Sequence, residues 1–186
     1  MSRTTSRLDT VIETERLILR VPRQEDFGAW SAYMADEEAA RYIGGQMQAP
    51  VAWRGMATIV GSWALKGYAM FSLIEKSTGE WVGRAGPWAP EGWPGLEVGW
   101  GIVRSRWGQG LALEASIACM DFAVNELGWT DIIHCIDPSN FNSQRLAKRL
   151  GSVNRGPGRM PPPFDDKPID IWGQTAAQWK ARRASA

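Results

Sequence analysis

The spacing of apolar residues changes several times along the chain, and each change predicts an element. Residues 16–21 read as a strand that Pro22 stops. Residues 24–35 have helical spacing, with Phe27, Trp30, Tyr33 and Met34 on one side. Glu25 and Asp26 stand in the first turn, where negative charge is favoured. Gly44 and Gly45 break that pattern, and residues 51–65 form a second helix with Pro50 near its start. Residues 68–74 and 81–85 are strands joined by a hairpin turn at Ser77-Thr78-Gly79-Glu80. The stretch 86–95, rich in Pro, Gly and Trp, is expected to be a loop. The strand 96–103 contains Gly99 and Gly101, which hint at a bulge or a close backbone approach. A long helix, 110–126, stops before Gly128. The strand 131–136 ends at Asp137-Pro138, and helix 140–150 closes on Gly151. The pattern then fades: Gly156-Pro157-Gly158 and Pro161-Pro162-Pro163 mark an irregular loop, 169–172 is a short strand, and 175–186 holds a C-terminal helix.

Strands come first in hairpins and later alternate with helices, so the expected class is mixed α/β around one sheet. At 186 residues without repeats or a shift in composition, a single domain over 1–186 is expected, with residues 1–12 flexible. The net charge of +1 supplies no field for nucleic acid or an anionic membrane. No apolar run approaches the ~18 residues that span a bilayer. The polar start, Met1-Ser2-Arg3-Thr4-Thr5-Ser6-Arg7, is not followed by the apolar core of a signal peptide. Cys119 and Cys135 lack metal-ligand spacing and read as buried thiols, so no metal and a cytoplasmic location are expected. The 11 tryptophans are mostly packing residues, but as a group some should line a cleft.

The candidate chemistry begins at Trp107-Gly108-Gln109-Gly110-Leu111-Ala112, between a strand and a long helix, with Glu114-Ala115 just beyond. A tight glycine turn there gathers backbone N–H groups at the positive end of a helix dipole, a setting for phosphate. A P-loop needs Lys and Ser/Thr after the last glycine, and here Leu111-Ala112 follow Gly110. A dinucleotide fingerprint wants a small residue where Leu113 stands, although Asp131 lies at a suitable distance for a ribose. A turn that only starts a helix is the bland alternative.

A second constellation, Asn140-Phe141-Asn142-Ser143 through Leu150-Gly151, opens the next helix directly after a strand. With the glycine turn it resembles the GNAT superfamily of acetyl-coenzyme A-dependent N-acetyltransferases. The turn is similar to the family's (Gln/Arg)-x-x-Gly-x-(Gly/Ala) signature, with Trp107 at the first position. Thr14-Glu15-Arg16-Leu17-Ile18-Leu19-Arg20 and Glu25-Asp26 resemble the branch that contains the ribosomal-protein alanine N-acetyltransferases. The resemblance covers about residues 13–151. It implies the GNAT fold: a central, mostly antiparallel sheet splayed in the middle and flanked by helices. It also implies acetyl-coenzyme A as cosubstrate, no metal, direct attack in a ternary complex by a primary amine that is either a protein N-terminal α-amine or a small amine such as an antibiotic or polyamine, and a homodimer as an unsurprising assembly.

On that resemblance, the main chain of Trp107, Gly108, Gln109, Gly110, Leu111 and Ala112 would hold the coenzyme's diphosphate. Ile102 and Val103 would run along its pantetheine arm, with Asn140 also binding it; Asn140 equally reads as a helix N-cap. Ala147 stands where many relatives carry the tyrosine that protonates the leaving thiolate, and Ser143 takes that part in the resembled branch. Ser143 also reads as a first-turn serine bonded to local backbone. Glu97 is the candidate base, with a paired strand glutamate as its alternative, whereas His134 reads as a packed core histidine. Trp88 and Trp93 are candidate walls of an amine site, and specificity is expected in the loops 41–50, 88–93 and 156–168. Arg155 and Arg159 read as solvated. A lysine amine (pKa ~10.4) needs about 4.6 kcal/mol for deprotonation at pH 7 and an α-amine (~8) about 1.4 kcal/mol, so the absence of an evident strong base leans toward an α-amine substrate or a base that acts through water. A coenzyme-binding sensor without efficient chemistry is the alternative function, and a dinucleotide enzyme is a third.

Overall fold

A computed structural model describes residues 7–185. Eight strands form one sheet: β1 (Val11–Glu13), β2 (Leu17–Arg20), β3 (Phe71–Glu75), β4 (Trp81–Trp88), β5 (Glu97–Ile102), β6 (Asp131–Ile136), β7 (Val153–Gly158) and β8 (Ile169–Thr175). The order across the sheet is β1-β2-β3-β4-β5-β6-β8-β7. Every neighbouring pair is antiparallel except β5 and β6. Among the described residues six α-helices flank it: α1 (Phe27–Ala35), α2 (Glu37–Ala40), α3 (Ala49–Lys66), α4 (Leu111–Asn125), α5 (Phe141–Leu150) and α6 (Ala176–Ala184). This is the mixed α/β class and splayed antiparallel sheet that the sequence led us to expect.

Local chemistry explains most of these elements. Leu17 and Leu19 are buried while Ile18 and Arg20 are only partly so, a period of two that fits a strand with one face on the core. In α3 the buried residues Ala52, Met56, Ile59 and Trp63 recur every three or four positions, and Gly67 closes the helix in the left-handed conformation. Thr175 caps α6 in a reciprocal box with Gln178, and Trp179 Nε1 docks that helix by donating to Asp121 Oδ1 at 2.8 Å. Helix α4 is buried along Leu111, Ala115, Cys119, Met120 and Ala123, where it lies against β4 and β5.

The helix expected from Gln24 starts as a 3-10 turn over Gln24–Asp26. Its cause is Asp26, which is buried. Its carboxylate takes both Arg20 guanidinium nitrogens at 2.8 and 2.7 Å, the Arg23 amide and the Ser72 hydroxyl. That bidentate pair joins β2, β3 and α1, so Asp26 serves the frame rather than the chemistry.

Two expectations are corrected. The loop expected at 86–95 begins later, because Gly86, Pro87 and Trp88 continue β4 opposite Gly99, Val98 and Glu97. The irregular loop expected from Gly156 is, as far as Gly158, part of β7. β7 is an edge strand with a register shift between Asn154 and Pro157, a place that tolerates proline's missing donor. Residues 11–12, placed in a flexible lead, belong to β1, residues 7–10 precede it without helix or strand, and the part of that expectation over residues 1–6 lies outside the described residues.

Candidate active site

The sheet opens between β5 and β6. These parallel strands pair only at Glu97↔Ile133, with the Ile133 amide donating to the Leu96 carbonyl at 2.9 Å. Beyond that point His134 stands in the gap. Its Nδ1 lies 2.7 Å from the Val98 carbonyl and its Nε2 3.0 Å from Ser152 Oγ. A carbonyl only accepts, so Nδ1 carries the proton, and Nε2 accepts from Ser152, which in turn accepts from Gln174 Nε2 at 3.0 Å. The imidazole therefore replaces a ladder bond and props the opening, with Trp100 packed 4.8 Å from it.

Burial holds the His134 pKa down at about 4, with the Val98 carbonyl resisting and the Arg155 charge adding to it. Below pH ~6.5 the unfolded chain takes up a proton that the folded chain refuses until about pH 4. The histidine's contribution to stability is complete above that window and falls by about 3 kcal/mol across it. His134 is the only histidine, so its proton NMR titration is read from one imidazole signal. We expect neutrality down to pH 5; a midpoint near 6.5 would contradict the buried, doubly bonded ring.

Around the opening lies a cavity of about 1090 Å³, bordered by Trp30, Arg84, Trp88, Trp93, Glu97, Trp100, Asn140 and Ser143. Glu97 is 7% exposed. Its Oε1 accepts the Cys135 amide at 3.0 Å and its Oε2 accepts Trp93 Nε1 at 2.6 Å. Burial raises its carboxyl above the ordinary range, and these two donors only partly oppose that. The neighbouring Cys135 thiol is pushed up by burial and by the Glu97 charge, which leaves it unreactive. Trp88 and Trp93 meet edge to face at 6.3 Å between centroids.

Across the opening, Asn140 caps α5 by accepting the Ser143 amide at 3.1 Å. Its side-chain oxygen therefore serves the helix, as one of its two expected roles requires. Trp100 Nε1 donates to Ser143 Oγ at 3.3 Å. Because that oxygen is the acceptor, its own proton is available to another group. Ala147 is fully buried with Ile136 and Trp172, so this position faces packed side chains.

The glycine turn lies at the far end of β5. Gly108 and Gly110 have φ of +75° and +81°, a region that L side chains rarely enter. The space where a Cβ would stand on Gly108 is open for 4 Å, and Trp107 through Gly110 are exposed. Gly110 begins α4 without a side-chain cap, and the first intrahelical bond is from Glu114 to the Gly110 carbonyl. The amides of Leu111, Ala112 and Leu113 thus have no helical acceptor. An anion fits this arrangement. Glu114, in the same first turn, is already neutralised: its carboxylate accepts from Thr14 Oγ1, the Arg16 amide and Arg16 Nε. Burial works against its charge, but these donors outweigh it and hold the carboxyl below the usual range. Arg16 also donates to the Gln109 carbonyl at 2.8 Å, fixing the turn.

Trp107 Nε1 donates to the Ile102 carbonyl at 2.7 Å, which ties the turn to the strand. The Val103 amide donates to Val82 and its carbonyl accepts from Arg106, so Val103 has no free main-chain group along the opening. In an antiparallel pair these groups alternate in direction. The Val103–Val82 bond therefore turns the main chain of Ile102 and Trp100 toward the opening. Sequence reasoning missed Trp100 and Arg84. The signal for Arg84 was a lone charge among Trp81, Val82, Gly83, Ala85 and Gly86, in a strand otherwise suited to the core.

The acetyltransferase (GNAT) domain profile matches residues 16–153. The uncharacterized N-acetyltransferase p20 of Bacillus licheniformis is 31% identical over 146 residues, 77% of this chain and 82% of that protein. The protein YkkB of Bacillus subtilis (strain 168) is 38% identical over 90 residues, a match that spans 46% of this chain and 52% of YkkB. An acetyltransferase structure from Agrobacterium tumefaciens superposes with TM-score 0.77 at 26% identity, over 89% of this chain and 94% of that one. A ribosomal L7/L12 α-N-protein acetyltransferase in complex with coenzyme A shares the fold at TM-score 0.72 and 14% identity, over 89% and 98% of the two chains. The chain belongs to the GNAT acetyltransferase family, whose members draw their acetyl group from acetyl-coenzyme A.

Among the described residues no cluster of three His, Cys, Asp or Glu is placed to hold a metal ion, and no helix is long and apolar enough to cross a membrane.

Proposed function

We propose that the protein is an N-acetyltransferase that moves the acetyl group of acetyl-coenzyme A to a primary amine by direct attack in a ternary complex. The observation that carries this reading is that Glu97, Ser143 and the Trp100 segment of β5 border one cavity at the opening of the sheet. The amides at the start of α4 and the left-handed glycines before it suit the coenzyme's diphosphate. The main chain of Trp100 and the Ile102 amide suit the pantetheine amides, which would pair as an added strand.

The roles follow from the bonds made and broken. Glu97, its pKa raised by burial, takes a proton from the ammonium form of the acceptor, directly or through one water. The amine nitrogen then bonds to the thioester carbonyl carbon, and a main-chain N–H of β5 near Ile102 meets the negative charge gathering on the carbonyl oxygen. The carbon–sulfur bond breaks, and Ser143 Oγ–H gives its proton to the departing sulfur. Trp100 Nε1, already bonded to Ser143 Oγ, supports the charge left on that oxygen. The nitrogen loses its second proton as the tetrahedral intermediate collapses; through solvent that proton replaces the one Ser143 gave to sulfur, and the proton held by Glu97 leaves to bulk water. Trp88 and Trp93 supply aromatic faces for the amine's carbon skeleton and its cation.

The test is thiol release from acetyl-coenzyme A with a panel of small amines and N-terminal peptides, alongside coenzyme A binding. Turnover with at least one amine is expected. Ser143→Ala should lower kcat about tenfold to thirtyfold while leaving coenzyme A affinity within about twofold. Tight coenzyme A binding with no turnover of any amine would favour the sensor reading instead.

A further inference from the structure

Residues directly opposite in an antiparallel pair share a face of the sheet. In β4 and β5 the register joins Trp88 to Glu97, Gly86 to Gly99 and Arg84 to Gly101. One face therefore carries Trp88 and Glu97 at one end, Arg84 at the other, and glycines between them. A side chain at Gly99 would bring its Cβ to 2.8 Å from Met70 Cε, and one at Gly101 would run into the Tyr33 hydroxyl. The missing side chain at Gly101 lets Tyr33 come down beside Arg84, whose charge favours the ionised hydroxyl against the larger opposing effect of burial. The Arg84 guanidinium also lies over the Trp30 ring, 5.2 Å from its centroid.

Arg84 is half-buried and borders the same cavity as Glu97. Arg20, Arg106 and Arg155 each sit on a carboxylate within 3.1 Å. Among the described residues no carboxylate stands within 4.0 Å of Arg84. A guanidinium has five donors, and the Trp30 face beneath it accepts none of them in a hydrogen bond. A charge withdrawn from water without a counter-charge is costly, unless a ligand brings one. At the other end of the glycine floor Glu97 is a buried carboxylate with two donors and no cation in contact with it; the Arg84 charge reaches it only across the floor.

We propose that the acceptor is a small amine that also carries an anionic group, an amino acid in the broad sense, with its amine at Glu97 and its acid at Arg84. This rests on the acetyl-transfer reading above and narrows it. Arg84 stands opposite a position four residues along β5 from Glu97, roughly 13 Å of strand. The two long side chains fill part of that span and leave space for a molecule of amino-acid size. A neutral peptide carbonyl at the same place offers a single uncharged acceptor, whereas a carboxylate or phosphonate offers a bidentate, charge-assisted one.

The experiment compares kcat/KM for α- and ω-amino acids of increasing length, each paired with its own carboxamide, and for N-terminal peptides. The acids should exceed their carboxamides by about ten- to a hundredfold at the favoured length, the range expected for a charged hydrogen bond. Arg84→Gln should bring that ratio to about one, and Arg84→Lys should keep part of it. Coenzyme A binding reports that each variant is folded. Carboxamides or peptides used as well as the acids, or a ratio unchanged in Arg84→Gln, would overturn the proposal while leaving acetyl transfer intact. Should no amine turn over, acetyl transfer itself fails and the charge preference is read from binding. With coenzyme A present, the acids should raise Tm and their carboxamides should not, in wild type and not in Arg84→Gln. Equal shifts for both would then sink it.

Discussion

Replacing Glu97 by Gln should lower kcat/KM for acetyl transfer by about a hundred- to a thousandfold at neutral pH, the usual worth of a positioned base. The change is close to isosteric, yet it removes the group proposed to take the amine's proton. It also leaves one oxygen to accept two donors, the Cys135 amide and Trp93 Nε1, where the carboxylate offered two. Some loss of stability therefore accompanies it, and coenzyme A binding must be measured in parallel to separate the two effects. The pH profile decides the assignment. Because burial raises the Glu97 pKa, the wild-type kcat/KM should fall as pH drops through that raised value, when the base becomes protonated. In the variant that acidic limb should vanish, leaving only the acceptor amine's own ionisation. An unchanged limb, or a loss under fivefold, would move the base elsewhere and make Glu97 a structural carboxylate held by its two donors.

The second large effect is expected at the glycine turn. The double substitution Gly108→Ala, Gly110→Ala should weaken coenzyme A binding about a hundredfold, measured by calorimetry. Both positions have positive φ, and placing an L residue there costs roughly 1–2 kcal/mol each. The chain can escape that cost only by moving the turn, which disperses the amides of Leu111, Ala112 and Leu113. The contrast between the two sites is informative. The space at Gly108 is open, while a Cβ at Gly110 would come within 3.4 Å of an Arg16 guanidinium nitrogen. Gly108→Ala alone should therefore affect the ligand more than the fold. Gly110→Ala should affect both, because Arg16 also grips Glu114 and the Gln109 carbonyl. Unaltered affinity in the double variant would reduce the turn to a helix start.

Elements set by local chemistry were legible in the chain. Strand β6 was read with its observed bounds because four apolar residues and Asp137-Pro138 delimit it. Helix α5 was read from its cap and its closing glycine, and Asn140 does cap it. Strand β7 was not legible, because Pro157 and two glycines suit a strand only at a sheet edge, and edges are decided by partners. The glycine turn was visible as a motif because the role proposed for it depends on consecutive backbone amides, which sequence order places together.

The chain by itself determined where most strands and helices lie, the phosphate-suited turn, and which carboxylate and hydroxyl were candidates. It did so because periodicity, caps and left-handed glycines act over a few residues. Only the tertiary structure decided what stands opposite what. The register of β4 on β5 puts Arg84 and Glu97 at two ends of one glycine floor. The imidazole of His134 takes a ladder bond from Val98 and holds the sheet apart. Burial made one glutamate a candidate base and one histidine an inert prop, and burial is a property of the packed whole, not of any stretch of chain.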